Sequence, residues 1–318
     1  MVVIGAPTGT GELNVIASTV VVDNQGTSGF TRFNVGEGGI GDLTLANGST
    51  LNVVSSTAGP PTSGMKIGSG FGVDSATGDV LVDASTLLIQ SPGATLDVGE
   101  VMAGALSGTS GVGFLDVTNG GLVRVDGQIG IGQLRVANGD NASGSVTVDG
   151  GRLEVTGQTA NIFLGHDSNG SSGNGDALLA VINNGLLSVT GSAATSTTVF
   201  VGLGTGDGLL DINTGGQVDI AGQLRISTPR PGNDTQTGQV LVTDTGVLNT
   251  VSTVIGNRGV LQGNGTFTAQ TLFLQNGGSL QLTNLAGVGV LVMDGSTIIN
   301  SDFTIGRTTG QSLQVINT

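Results

Sequence analysis

The chain has 318 residues, 9 Lys and Arg against 23 Asp and Glu, and no Cys, Trp or Tyr. A net charge of −14 argues against nucleic acid and anionic lipid as partners, because phosphate neutralisation needs a basic surface. The missing cysteines exclude a disulfide scaffold, thiol catalysis and a Cys-ligated metal.

The chain opens on Val2-Val3-Ile4-Gly5, a short apolar strand ending in an apolar-Gly pair, with no basic segment of the kind that starts a signal peptide. From there one cassette recurs. An early copy is Gly41–Val53, in which Leu43/Leu45 and Leu51/Val53 alternate with polar residues on either side of Asn47-Gly48. The clearest copy, Gly113–Val125, repeats this with Leu115/Val117, Asn119-Gly120-Gly121 and Val123/Val125. Alternation at i, i+2 makes each half a strand with one buried face. Asp116, Arg124, Asp211 and Asp219 then point outward. Gly and Asn enter left-handed backbone cheaply, so Asn119-Gly120-Gly121, Asp149-Gly150-Gly151, Thr214-Gly215-Gly216 and Asn276-Gly277-Gly278 read as corners.

The first inward residues of successive copies are Leu13, Leu43, Val80, Leu115, Val146, Leu179, Leu210, Val240, Leu272, Val290 and Leu313. The first eight steps run from 30 to 37 residues and the last two shorten to 18 and 23. A third strand ends in an apolar-Gly pair in most copies, among them Val35-Gly36, Ile67-Gly68, Val98-Gly99, Ile131-Gly132, Leu164-Gly165, Val201-Gly202 and Ile255-Gly256; Ile226-Ser227 lacks the glycine. Self-similarity at this period, with loops of varying length, is the signature of units that stack on one another. The expected fold is all-β: a single right-handed parallel β-solenoid (β-helix) of about ten imperfect cassettes over residues 1–318. With one coil per cassette it would be a rod on the order of 50 Å long. The sequence leaves the number of coils per cassette open. Gly-rich helix is excluded, since 59 glycines would interrupt any helical run. No stretch of about 18 apolar residues marks a membrane-inserted helix.

Candidate chemistry is sparse. His166, the lone histidine, precedes Asp167 and is expected to be a loop residue, since no nucleophile is placed to complete a triad. Asp211 and Asp219 share a cassette and are the best candidates for paired acids, although their counterparts Thr44/Asn52 and Ala180/Ser188 extend no acidic cleft. Lys66 is the lone lysine, and the arginines are scattered. The calcium-binding nonapeptide of β-rolls does not repeat; fragments around Asp176 and Asp207 leave a loop calcium as the one cofactor to consider. No catalytic, cofactor or metal residue is assigned.

The run of apolar-Gly, Gly-rich loop and G-x-L-x-V-x-x-G-G-x-[LV]-x-V, as in Ile131–Val155 and Val201–Ile220, resembles the repetitive β-helical passenger regions of bacterial autotransporters and related large surface adhesins. That resemblance implies an extracellular, cell-surface protein that is structural or adhesive and not an enzyme, either the stalk of an anchored adhesin or a filament subunit, with surface glycans or other cells as partners. A polysaccharide lyase or phage tailspike is the alternative of a different class. The ends add one expectation. Val2, Val3, Ile4 and Gly5 match a closing strand, and Leu313, Val315 and Ile316 match an opening one, so a head-to-tail homopolymer would join tail to head.

Overall fold

A computed structural model describes residues 1–24, 31–55, 63–70, 74–101, 109–166, 175–192, 197–203, 206–228, 237–275, 277–282, 285–293, 298–299, 305–306 and 314–317, the last four segments from 285 onward as backbone only. Every strand pairing along its ladders is parallel. Each cassette is one coil of three strands. The copy read most easily from sequence gives Gly111–Thr118 on a first face, Leu122–Asp126 on a second and Ile131–Asn138 on a third. The first face stacks directly on Ala76–Asp83 below and Ala142–Asp149 above. The repeats therefore form a three-faced β-solenoid, with equivalent residues of successive cassettes as hydrogen-bonded neighbours.

Register confirms the alternation. Leu13, Leu43, Val80, Leu115, Val146, Leu179, Leu210 and Val240 are consecutive partners on the first face. Leu115, Val117, Val123, Val125, Leu210, Ile212, Val218 and Ile220 are buried in one continuous aliphatic core. Asp116, Arg124, Asp211 and Asp219 do point outward, but they are half-buried and not fully exposed. Neighbouring coils supply the cover: Asp219, for instance, accepts from Gln217 Nε2 at 2.6 Å and from Asn249 Nδ2 of the next coil at 2.8 Å.

The two corner types have different causes. The corner from first to second face takes two to four residues in every coil from Ile16–Thr19 to Val242–Val247. At its inner position a Cβ on Gly121 would lie 2.3 Å from the Val82 carbonyl oxygen of the coil below, so this coil needs glycine there, although Ser18, Ser49 and Ser85 hold the same position in the first three coils. The apolar-Gly corner needs a left-handed residue instead. Gly36, Gly68, Gly99, Gly165 and Gly202 have φ between 66° and 71° there.

Three sequence expectations fail in register, each for a local reason. Ile131-Gly132 does not close the third face: Ile131 is 46% exposed, and Val98 pairs with Val136, which puts Ala137 (φ 55°) in the glycine's place. Ser227 (φ 47°) fills the same corner in the copy that lacks glycine. Leu272 is not a first-face marker either. The column after Val240 continues through Leu261 and Leu280, and Leu272 lies on the third face opposite Thr253. The cause is a change of corner. Gly256–Gly259 turns from third to first face in four residues, with Gly259 N donating to Gly256 O at 2.9 Å, and the Gly277-Gly278 turn does the same one coil later. The late coils are thus 21 and 19 residues long, and what resembles a first-to-second corner is a third-to-first one. Val290 likewise belongs to the third face, one coil beyond Thr271.

The terminal strands are also placed differently. Val2–Ile4 pairs with Phe33–Val35 on the third face, as expected of a closing strand. Leu313 lies outside the described residues. Gln314–Asn317, which includes Val315 and Ile316, pairs with Val290–Met293, and that too is the third face. Both terminal strands therefore sit on the same ladder, and the tail does not supply an opening strand that the head lacks.

Candidate functional site

The outward surface of the third face holds the densest chemistry. Taking the residue two positions before the left-handed corner, the column reads Asn34, Lys66, Asp97, Arg135, Phe163, Phe200 and Arg225. Parallel in-register stacking places each of these about 4.8 Å from the next. A second column just past the corner carries Glu37, Ser69, Glu100, Asn138 and His166.

The early coils of this face form an ionic cluster. Lys66 Nζ pairs with Glu100, and Ser69 Oγ donates to the same carboxylate at 3.1 Å. Arg135 clasps Asp97 with two nitrogens, the Nη2 bond measuring 2.8 Å. Asn138 Nδ2 reaches Glu100 Oε1 at 3.5 Å, and the Asn138 amide oxygen lies 3.3 Å from His166 Nδ1. Burial, and secondarily the Asp97 charge, push the Glu100 carboxyl above its ordinary value, with Lys66 and Arg135 working in the other direction. Burial disfavours the Arg135 cation, but Asp97 and Glu100 more than offset that, and its pKa is raised. Asp97 is 2% exposed and Glu100 7%. Carboxylates so covered, and already engaged by cations of adjacent coils, act as a clamp along the axis and are closed to a polymeric substrate.

The later coils replace charge by rings. Phe163 and Phe200 stack with centroids 5.1 Å apart and planes 3° from parallel. His166 tilts against Phe163 at 4.9 Å, and the Arg225 guanidinium carbon lies 5.7 Å from the Phe200 centroid. Arg225 Nε is buried without a hydrogen-bond partner.

The residues singled out from sequence are dispersed. His166 sits at the end of a third-face strand, facing Asn138; Asp167 lies outside the described residues. Asp211 and Asp219 are not a pair: one is on the first face beside Asn213, the other on the second beside Asn249. Asp176 and Asp207 are first-face partners in adjacent coils and line a shallow groove of about 430 Å³ with Leu178 and Leu209. Asp207 Oδ1 is occupied by the backbone N–H and hydroxyl of Thr237, both at 2.7 Å. Among the described residues no three metal-ligating side chains gather. Val2, Val3 and Ile4 form one side of a single ladder pairing, and Gly5 (φ 70°) is an ordinary third corner, packed on the Ile40 carbonyl.

Sequence reading missed both the ionic clamp and the Phe163–Phe200–Arg225 stack. The signal was present: counting two residues back from each apolar-Gly glycine yields Asn34, Lys66, Asp97, Phe163 and Phe200 directly.

Fold and site together define a parallel β-solenoid with an outer wall of stacked side chains. No protein-family model matches the chain, and no curated protein matches it. Among solved structures it is similar to a TibC-glycosylated fragment of TibA, at 16% identity and a TM-score of 0.27, over 99% of this chain and 95% of that one. At that TM-score the likeness carries no argument, and fold and function both rest on this chain's own residues.

Proposed function

We propose that this protein is a non-enzymatic structural and adhesive rod of a bacterial surface. The observation that carries this reading is the ladder itself. Core positions from Phe33 to Leu282 are sealed in a single hydrophobic column, while the outward positions are spent on hydrogen bonds and ion pairs between coils. Repeat stacks of this kind hold an extended surface at a fixed distance without needing a concave active site. The passenger-like cassette pattern and the low charge density, 10% of residues, support an extracellular setting.

The finer form of the proposal is end-on association into a filament, with a cell-anchored stalk as the second use. Leu13, Val20 and Val22 point into the core of the first full coil yet are only partly buried, so this face of the stack accepts a further coil, from the same chain or another copy. Electron microscopy of the purified protein tests both. Rods about 50 Å long are expected, lengthening with concentration if copies associate end to end. Globular particles would refute the rod, and rods of fixed length at every concentration would refute the filament.

A further inference from the structure

We propose that the Phe163–Phe200–Arg225 stack binds a carboxylated sugar. The inference deepens the adhesive part of the reading above and rests on it for its setting. Its first support is Arg225. Arg124, Arg135 and Arg152 each hold a carboxylate. Among the described residues Arg225 has no acidic partner: its guanidinium lies over the Phe200 ring, and its Nε is buried and unpaired. An unmet donor on a guanidinium favours a bidentate anion, and planar carboxylate matches its fork.

The second support is the electrostatic setting. The chain is strongly acidic, with a net charge of −14. Yet the third-face segments 159–166, 197–203, 222–228, 252–255 and 271–274 contain no Asp or Glu. Among the described residues Arg225 is thus a cation in a carboxylate-free stretch, while in the earlier coils of the same face Lys66 and Arg135 are each paired with an acid. A ligand with one carboxylate per ring fits this setting better than a polyphosphate, which the remaining acidic surface repels.

The third support is shape. Phe163 and Phe200 are half-buried and stacked parallel, and with Arg225 they run for about 10 Å along the axis, the length of a disaccharide. Their faces are taken up by the stack, so what they offer outward is a strip of apolar ring edge beside the Arg225 guanidinium. Beside them, Asn161, Thr198 and Gln223 form the adjoining outward column, with amides and a hydroxyl suited to ring hydroxyls.

The test is calorimetric titration of the whole chain with a galacturonic-acid trimer and with its methyl ester, at low ionic strength. Binding of the acid is expected, weakened at least about tenfold by esterification and by Arg225→Gln, which each remove a charge-assisted hydrogen bond. Phe200→Leu should weaken acid and ester alike. Absence of acid binding at millimolar concentration, or equal affinity for acid and ester, would overturn the site. If Phe200→Leu fails to fold, the acid–ester comparison on the unmodified chain decides alone. Failure here would leave the rod expected by electron microscopy untouched. Conversely, unsaturated or shortened products in the titration cell would refute the non-enzymatic reading while leaving binding intact.

Discussion

The left-handed corner that closes the third face gives the sharpest test of the fold, because the chain contains both versions of it. Gly99 has φ 69°, and a Cβ built on it would lie 2.0 Å from the Ser143 carbonyl oxygen, where real Cβ contacts stay beyond 3.0 Å. Gly99→Ala must therefore push two strands apart by about an ångström, on top of a left-handed penalty of about 1 kcal/mol. Overpacking of a close contact adds about 1–3 kcal/mol, giving a loss of about 2–4 kcal/mol. One coil on, Ala137 already occupies the equivalent corner at φ 55° and is fully buried. There the reverse change, Ala137→Gly, relieves the left-handed penalty and removes one methyl, two effects that nearly cancel to within about 1 kcal/mol. Urea denaturation followed by circular dichroism measures both. A clear drop in midpoint for Gly99→Ala beside a near-unchanged Ala137→Gly is expected. Equal small shifts would mean that the corner is not closed by carbonyl contact, and the account of coil spacing would fail.

Three further outcomes follow from the same geometry. Val117→Asp places an unpaired carboxylate in the core and should abolish cooperative folding, whereas Asp116→Ser one residue away should move the melting temperature little; comparable shifts would refute the strand register. Lys66→Met strands the covered Glu100 carboxylate and should cost about 3 kcal/mol, much of it regained in the Lys66→Met/Glu100→Met double variant; a purely additive double-mutant cycle would show the pair to be uncoupled. Burial, then Asp116 and Asp42, raises the Asp79 carboxyl above 3.8. A raised acid favours the fold while protonated and loses that contribution as pH rises through the folded value. Asp79→Asn should therefore raise the melting temperature slightly at neutral pH, the gain shrinking below pH 3.8 and at high salt; a gain that persists in acid would place its origin elsewhere.

Much of the first face was legible because its corners are made by residues with one purpose. Asn119-Gly120-Gly121 can only turn, and the alternation on either side tells which residues are inside, so the register from Leu13 to Val240 follows from sequence. The third face was harder to read. Its corner demands a left-handed residue, not glycine itself: Ser227 could be placed there from the strand before it, but Ala137 meets the demand invisibly, while Ile131-Gly132 offers the right letters in the wrong place. Late coils were misread because a tight glycine turn looks alike at any corner: only the ladder partner of Leu261 shows which face Gly256–Gly259 leads to. The candidate site lay beyond local patterns altogether. Lys66 and Glu100 are 34 residues apart, and Phe163 and Phe200 meet only because two coils stack in register.

The unequal corners make the three edges of the stack unequal in what they tolerate. The edge between first and second faces holds only two to four residues in eight consecutive coils, packed against the carbonyls below, so there is little room to lengthen it. The edge between third and first faces spans three residues between Ile255 and Gly259 but nine between Thr228 and Gly238, with the same strands pairing on both sides. Length is thus free to vary along that edge without altering the pitch. A foreign peptide grafted there would be presented at a height fixed by its coil number, in steps of about 4.8 Å. The chain can diversify what it shows along one margin while the opposite margin keeps the count.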